Sequence, residues 1–137
     1  MPRILIIDDE RSIRSTLREI LEYEKYEIVE AQDGAEGFQL IKKEDFDLVM
    51  CDIKMPKMDG IEFLEKAKEV NPDVPIIVIS GHGNIETAVE AIKLGAYDFI
   101  EKPFKADRLV LVADRALEAS RLKREVTELR VRTGATT

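Results

Sequence analysis

Three aliphatic runs of strand length govern the sequence: Ile4-Leu5-Ile6-Ile7, Leu48-Val49-Met50-Cys51 and Pro75-Ile76-Ile77-Val78-Ile79-Ser80. None alternates with polar residues. A strand with one face in water shows such alternation, so unbroken runs demand a sheet covered on both faces. Between the runs, apolar residues recur at helical spacing. Ile13, Leu17, Ile20 and Leu21 follow the first run, which begins at Arg3. Glu27–Ala31 is a shorter second strand. Asp33-Gly34-Ala35-Glu36 carries the acid and the glutamate of a capping box and opens a helix to about Lys43. Asp59-Gly60-Ile61-Glu62 repeats that signal ahead of Phe63, Leu64, Ala67 and Val70, and Asn71-Pro72-Asp73 ends the helix because proline cannot continue it. Asn84 can cap a helix carrying Ala88, Val89 and Ile92, which stops at Gly95. Tyr97–Ile100 is a short fifth strand, and a last helix starts near Ala106.

Five strands alternating with five helices specify an α/β chain with a doubly wound parallel sheet and right-handed crossovers. The expected architecture is the flavodoxin-like (βα)5 fold, strand order 2-1-3-4-5, with an extended C-terminal helix. Such sheets bind ligands outside the carboxyl ends of their strands. The 137 residues suffice for one core. No apolar run approaches the roughly 20 residues of a membrane span. The start Met-Pro-Arg-Ile lacks the features of a signal peptide, and the single cysteine, Cys51, cannot form an internal disulfide. A cytoplasmic protein follows as the expectation. The net charge of −7 argues against nonspecific nucleic-acid binding. Residues 121 to 132 hold five basic and two acidic side chains, +3, so the remainder carries −10. That basic stretch reads as a solvated helix face rather than a phosphate-binding patch.

The residues at the expected strand ends are chemically uneven. Strand one ends in Asp8 and Asp9, strand three in Asp52, strand four in Ser80, and strand five in Glu101-Lys102-Pro103. In the order 2-1-3-4-5 they converge on one crevice. Three ionised aspartates a few ångströms apart repel, so either one is protonated or a cation neutralises them. An all-oxygen site with open water positions suits Mg²⁺. With the Lys102 ammonium and the Ser80 hydroxyl added, the set forms a cradle for a phosphoryl group, and Asp52 is the candidate nucleophile for acyl-phosphate chemistry. Taken singly, each aspartate is equally readable as a helix cap or loop acid; the joint pattern is what carries chemistry. Glu10 reads only as the start of the first helix, where an acid is favourable. His82, two past Ser80, is either a plain loop residue or one that tunes water access. Cys51 should point away from Asp52 into packing. Tyr97 and Phe104 read as packing residues.

The motifs "IIDDE", "DIKMPKMDG", "ISG" and "EKPF" resemble, in order and spacing, those of bacterial response-regulator receiver domains over about residues 1–118. The resemblance implies that Asp9 binds Mg²⁺ directly and Asp8 mostly through water. It implies that Asp52 is phosphorylated by a sensor histidine kinase, and that the backbone carbonyl of Lys54 ligates the metal. Ser80 is then the hydroxyl that moves toward the phosphoryl group, Phe99 the switch aromatic, and Lys102 the phosphate-binding lysine, with a cis bond to Pro103. Phenylalanine at position 99 lacks a hydroxyl, so a switch that hydrogen-bonds through it is unavailable. The output implied is a changed face of helix four, strand five and helix five. Such a domain accepts a phosphoryl group and assists its gain and loss, without being an enzyme in the turnover sense. Residues 79–134 are further similar to nitrogen-regulation regulators of the NtrC/NtrX class, NtrX-type above all, whose ATPase and DNA-binding regions are not in this sequence.

Residues 119–137 read as a linker helix with a disordered end, stopped at Thr133-Gly134. Leu109, Val112, Ala116 and Ala119 should pack on the sheet. Leu122, Val126 and Leu129 continue at 4-3 spacing among charges, which reads as a short seam joining a homodimer; one or two heptads alone are marginal, and a frayed tail is the competing reading. Two rival functions exist. An aspartyl-phosphate phosphatase or phosphotransferase carries its nucleophile and acid in one DxD after the first strand, whereas Asp8 and Asp9 are adjacent and no capping insert exists. A structural dimerisation module with a degenerate pocket would not need Asp8, Asp9, Asp52, Ser80 and Lys102 together.

Overall fold

The computed structural model describes residues 1–55, 57–81 and 85–132, the side chains of 124 and 126–132 excepted. The expectations for His82, Asn84, the side chains of Val126 and Leu129, and the chain end at 133–137 lie outside the described residues.

Helices and strands alternate as β1 (Arg3–Ile7), α1 (Arg11–Tyr23), β2 (Glu27–Ala31), α2 (Gly34–Lys43), β3 (Leu48–Asp52), α3 (Gly60–Val70), β4 (Ile76–Ser80), α4 (Ile85–Lys93), β5 (Asp98–Glu101) and α5 (Ala106–Arg132). The sheet runs β2-β1-β3-β4-β5 and every pairing is parallel. This is the flavodoxin-like order expected. β4 starts one residue later than expected, at Ile76, because Pro75 has no N–H to give the ladder. β5 is displaced by one residue toward Glu101.

Each central strand sends alternate side chains to opposite faces, so every one of them needs a covering layer. Leu5, Ile7, Val49, Cys51, Ile76 and Val78 pack with Phe63, Leu64 and Ala67 of α3 and Ala88 and Ala91 of α4. On the other face Ile4, Ile6, Leu48, Met50, Ile77 and Ile79 pack with Leu17 and Leu21 of α1 and with α5. The α5 contacts are Leu109, Val112, Ala113 and Ala116. Ala119, expected to pack, is only half-buried; Ala113 and Ser120 are buried on that helix instead, completing the stripe 109, 112, 113, 116, 120 that a 3.6-residue period requires. Tyr97 also departs from the packing expectation and is 42% exposed. Phe104 does pack, half-buried, against the α1/α5 side. α5 is continuous to Arg132, and Arg121, Leu122, Lys123 and Glu125 on it are exposed. No helix among the described residues is long and apolar enough to cross a membrane.

Both expected capping signals form. The Asp33 carboxylate accepts the Glu36 N–H at 2.8 Å, and Asp59 accepts the Glu62 N–H at 2.9 Å. The second cap holds the loop that follows β3. The Gly60 N–H donates to the Ile53 carbonyl at 2.7 Å, and a Cβ on Gly60 would stand 2.4 Å from the Asp52 carbonyl oxygen. No side chain therefore fits there without moving the backbone of Asp52. We expect Asp59→Ala to lower stability in urea denaturation by about 1 kcal/mol. Gly60→Ala should cost more than the lost cap and also impair chemistry at Asp52, whereas equal, cap-sized losses would contradict this account of the loop.

Candidate functional site

The parallel register sets the carboxyl ends of β1, β3, β4 and β5 along one edge. Ile7 lies opposite Cys51, Asp52 opposite Ile79, and Ser80 opposite Glu101, one residue before Lys102. Asp8, just past β1, is fully buried, whereas Asp9 and Glu10 are exposed. The Asp8 carboxylate accepts the Glu10 N–H at 2.9 Å. Glu10 occupies the N-cap position of α1 with extended backbone and makes no side-chain cap bond. Its carboxylate instead joins the acidic cluster: oxygens of Asp8, Asp9 and Glu10 lie within 4.8 Å of one another. Glu10 was expected only to start a helix. Its adjacency to Asp8-Asp9 was the available signal, but helix-start chemistry explained it equally well.

Asp52 ends β3 with 6% of its surface exposed. The Lys102 ammonium stands between two buried carboxylates, 3.5 Å from Asp8 and 3.6 Å from Asp52. One cation thus faces at least two acids from which water has been removed. Burial, reinforced by the charge on Asp8 and opposed by Lys102, pushes the Asp52 carboxyl up to about 6. Burial likewise raises Asp8, against the Glu10 N–H and Lys102. Ser80, at the end of β4, is buried, and its Oγ is a buried side-chain polar atom with no hydrogen-bond partner among the described residues. Buried hydroxyls are ordinarily satisfied, so this one is available to a group entering the crevice.

The remaining candidates fall around this centre. Lys54 follows Asp52 on an exposed turn. Phe99 is half-buried against the cluster that includes Val78 and Cys51, and lies opposite Val78 in the sheet. Cys51 is buried in that cluster as expected, its thiol pushed well up by burial, and its Sγ donates to the Asp52 carbonyl at 3.3 Å. The Lys102–Pro103 peptide is cis. Leu122 is 48% exposed on the distal part of α5, away from these groups in sequence.

Residues 4–114 match the response regulator receiver domain family. The chain belongs to that family. This receiver domain is 51% identical over 129 residues, 93% of its length, to the nitrogen assimilation regulatory protein NtrX of Azorhizobium caulinodans, covering 28% of that protein. It is 41% identical to the C4-dicarboxylate transport transcriptional regulatory protein DctD of Rhizobium meliloti, again over 28% of the relative's length. The receiver therefore spans a little over a quarter of these curated relatives. Among solved structures, the receiver domain of NtrX from Brucella abortus superposes with a TM-score of 0.82 at 50% identity, covering 84% of this chain and 98% of that one. The expected NtrC/NtrX-class resemblance and the receiver fold are thereby established. A receiver is a signalling domain of two-component systems, not a classical enzyme.

Receiver domains bind Mg²⁺ at an acidic pocket, and the residues here fit that ion. The donors are hard carboxylate oxygens, and positive charge is in deficit, one Lys102 ammonium facing the buried Asp8 and Asp52.

A carboxyl raised from 3.8 to about 6 in the fold is penalised when ionised, by up to about 3 kcal/mol above pH 6; the penalty shrinks as the pH falls and is gone below about pH 3, where both states are protonated. In metal-free buffer, Asp52→Asn should stabilise the receiver at pH 8 by about 1–3 kcal/mol and leave it unchanged at about pH 3, as read by urea denaturation.

Proposed function

We propose that this receiver accepts a phosphoryl group on Asp52 from the phosphohistidine of a sensor kinase, with Mg²⁺ as cofactor, and relays the event to an effector region that controls transcription. The observation that carries this reading is the buried Ser80 hydroxyl, without a hydrogen-bond partner among the described residues, at the end of the strand beside Asp52, in a crevice that also holds Asp8 and Lys102. A metal site alone has no use for such a donor; a phosphoryl oxygen does.

An Asp52 carboxylate oxygen attacks phosphorus in line as the P–N bond breaks, and the electron pair leaves on the histidine nitrogen. Asp52 must be ionised to attack, and the nearby Lys102 ammonium favours that form. Lys102 then shifts its charge from the two carboxylates to the developing phosphoryl oxygens. Asp9, Asp52 and the Lys54 carbonyl would hold Mg²⁺, with Asp8 acting through water, and the ion supplies the positive charge that offsets the phosphoryl oxygens. Ser80 donates its hydroxyl to one of those oxygens, which draws the end of β4 inward. Phe99, opposite Val78 two residues before Ser80 in β4, turns into the space vacated. The face of α4, β5 and α5 is the output surface; Ile85, Val89 and Ile92 on α4 and Tyr97 before β5 already expose apolar area there. Residues 119–137 serve as the linker, and the Leu122, Val126 and Leu129 seam pairs two copies in the cytoplasm. The exposed Leu122 supports that pairing.

Incubation with Mg²⁺ and a small acyl phosphate should add one phosphoryl group by intact mass, and Asp52→Asn should add none. Lys102→Ala should slow the gain by about 10²-fold. Equal phosphorylation of Asp52→Asn and wild type would overturn the assignment. Leu122→Glu should reduce the dimer fraction in light scattering; an unchanged fraction would remove the seam.

A further inference from the structure

Among the described residues, four charged or hydroxyl side chains besides Ser120 are buried: Asp8, Asp52, Ser80 and Arg14. The first three belong to the crevice. Arg14, one turn into α1, has no part in the chemistry above, yet it is only 8% exposed. A guanidinium buried to that extent is costly unless it is paired and hydrogen-bonded. Its Nε donates to Glu30 Oε1 at 3.0 Å, which balances the charge. Its Nη1 donates at 2.7 Å to a single backbone oxygen, the carbonyl of Asp8. Glu30, on β2 opposite Ile6, is itself held by Arg18 at 2.5 Å, so the anchor is fixed from a second side.

The Asp8 carbonyl belongs to the peptide that joins Asp8 to Asp9. Rotation of that plane changes ψ of Asp8 and φ of Asp9, the two torsions that separate their side chains. The Asp8 carboxylate is independently tied to the Glu10 N–H. The exposed Asp9 carboxylate depends on the backbone for its direction. We infer that Arg14 is a positioning residue of this site: it locks the Asp8–Asp9 peptide and so sets the angle at which the two carboxylates face a cation. The task needs a guanidinium. Two nitrogens fixed in one plane, Nε and Nη1, reach Glu30 and the Asp8 carbonyl together, whereas a lysine would have to bring its single nitrogen within reach of both. This inference rests on the Mg²⁺ reading above.

Calorimetric titration with Mg²⁺ alone tests it, on wild type, Arg14→Lys, Arg14→Met and Arg18→Ala, with melting temperatures taken in parallel. Arg14→Met keeps the bulk and removes the donors; Arg14→Lys keeps the charge and loses the fork. Both should weaken Mg²⁺ by about 10- to 100-fold, the range for residues that orient ligands from behind. Arg18→Ala, which leaves the Arg14–Asp8 bond in place, should bind within about twofold of wild type, as such a peripheral change predicts. The Mg²⁺ concentration for half-maximal phosphorylation should shift in parallel, with full extent regained at saturation. Wild-type affinity in either folded Arg14 variant overturns the inference, as does an equal loss in Arg18→Ala. An absence of Mg²⁺ binding by wild type itself would instead sink the functional reading, and this inference with it.

Discussion

The structure turns on one shared ammonium. Lys102 stands 3.5 Å from Asp8 and 3.6 Å from Asp52, and no full neutralisation of both is possible with a single charge. The acids lie where the apolar central strands end, both of them buried, so water cannot make up the difference. Asp52 accordingly holds its proton up to about 6, some two units above an ordinary aspartate. The site is built with a deficit of positive charge, and an entering cation relieves it. The same deficit makes the crevice responsive: what binds there changes the balance among Asp52, Lys102 and Ser80, which hang from three neighbouring strands.

Those strands are in place because of three aliphatic runs, at residues 4–7, 48–51 and 75–80. A helical crossover after each strand makes its neighbours parallel, and the parallel order brings the strands' carboxyl ends to one side. The register then puts Asp52 next to Ile79, and Ser80 next to Glu101. Chemistry at the edge is thus a consequence of packing in the middle. The loop after β3 adds the remaining constraint, since Gly60 approaches the Asp52 backbone too closely for any side chain.

Much of this was legible in the residues. The strands, both capping boxes and the convergence of Asp8, Asp52, Ser80 and Lys102 followed from unbroken runs and from what stood at their ends. Four things were not legible. Glu10 joins the acidic cluster because its side chain, rather than capping α1, turns toward Asp8 and Asp9; spacing alone cannot distinguish these. Arg14 reads as an ordinary solvated helix residue until its two partners, the Asp8 carbonyl six positions back and the half-buried Glu30 sixteen ahead, are seen. Ala119 was misplaced because a 3-4-3 pattern drifts from the true helical period, and Ala113 and Ser120 hold the buried stripe. Tyr97 misled for another reason: it precedes β5, and an aromatic at a strand entrance need not face the core.

The most direct measurement is the titration of the Asp52 carboxyl by carbon NMR, with and without Mg²⁺. The midpoint should lie near 6 in metal-free protein and fall clearly when Mg²⁺ is added, because the cation supplies the missing charge. An Asp52 that titrates near the ordinary value of 3.8, and does not respond to Mg²⁺, would contradict the charge deficit on which the proposed function rests.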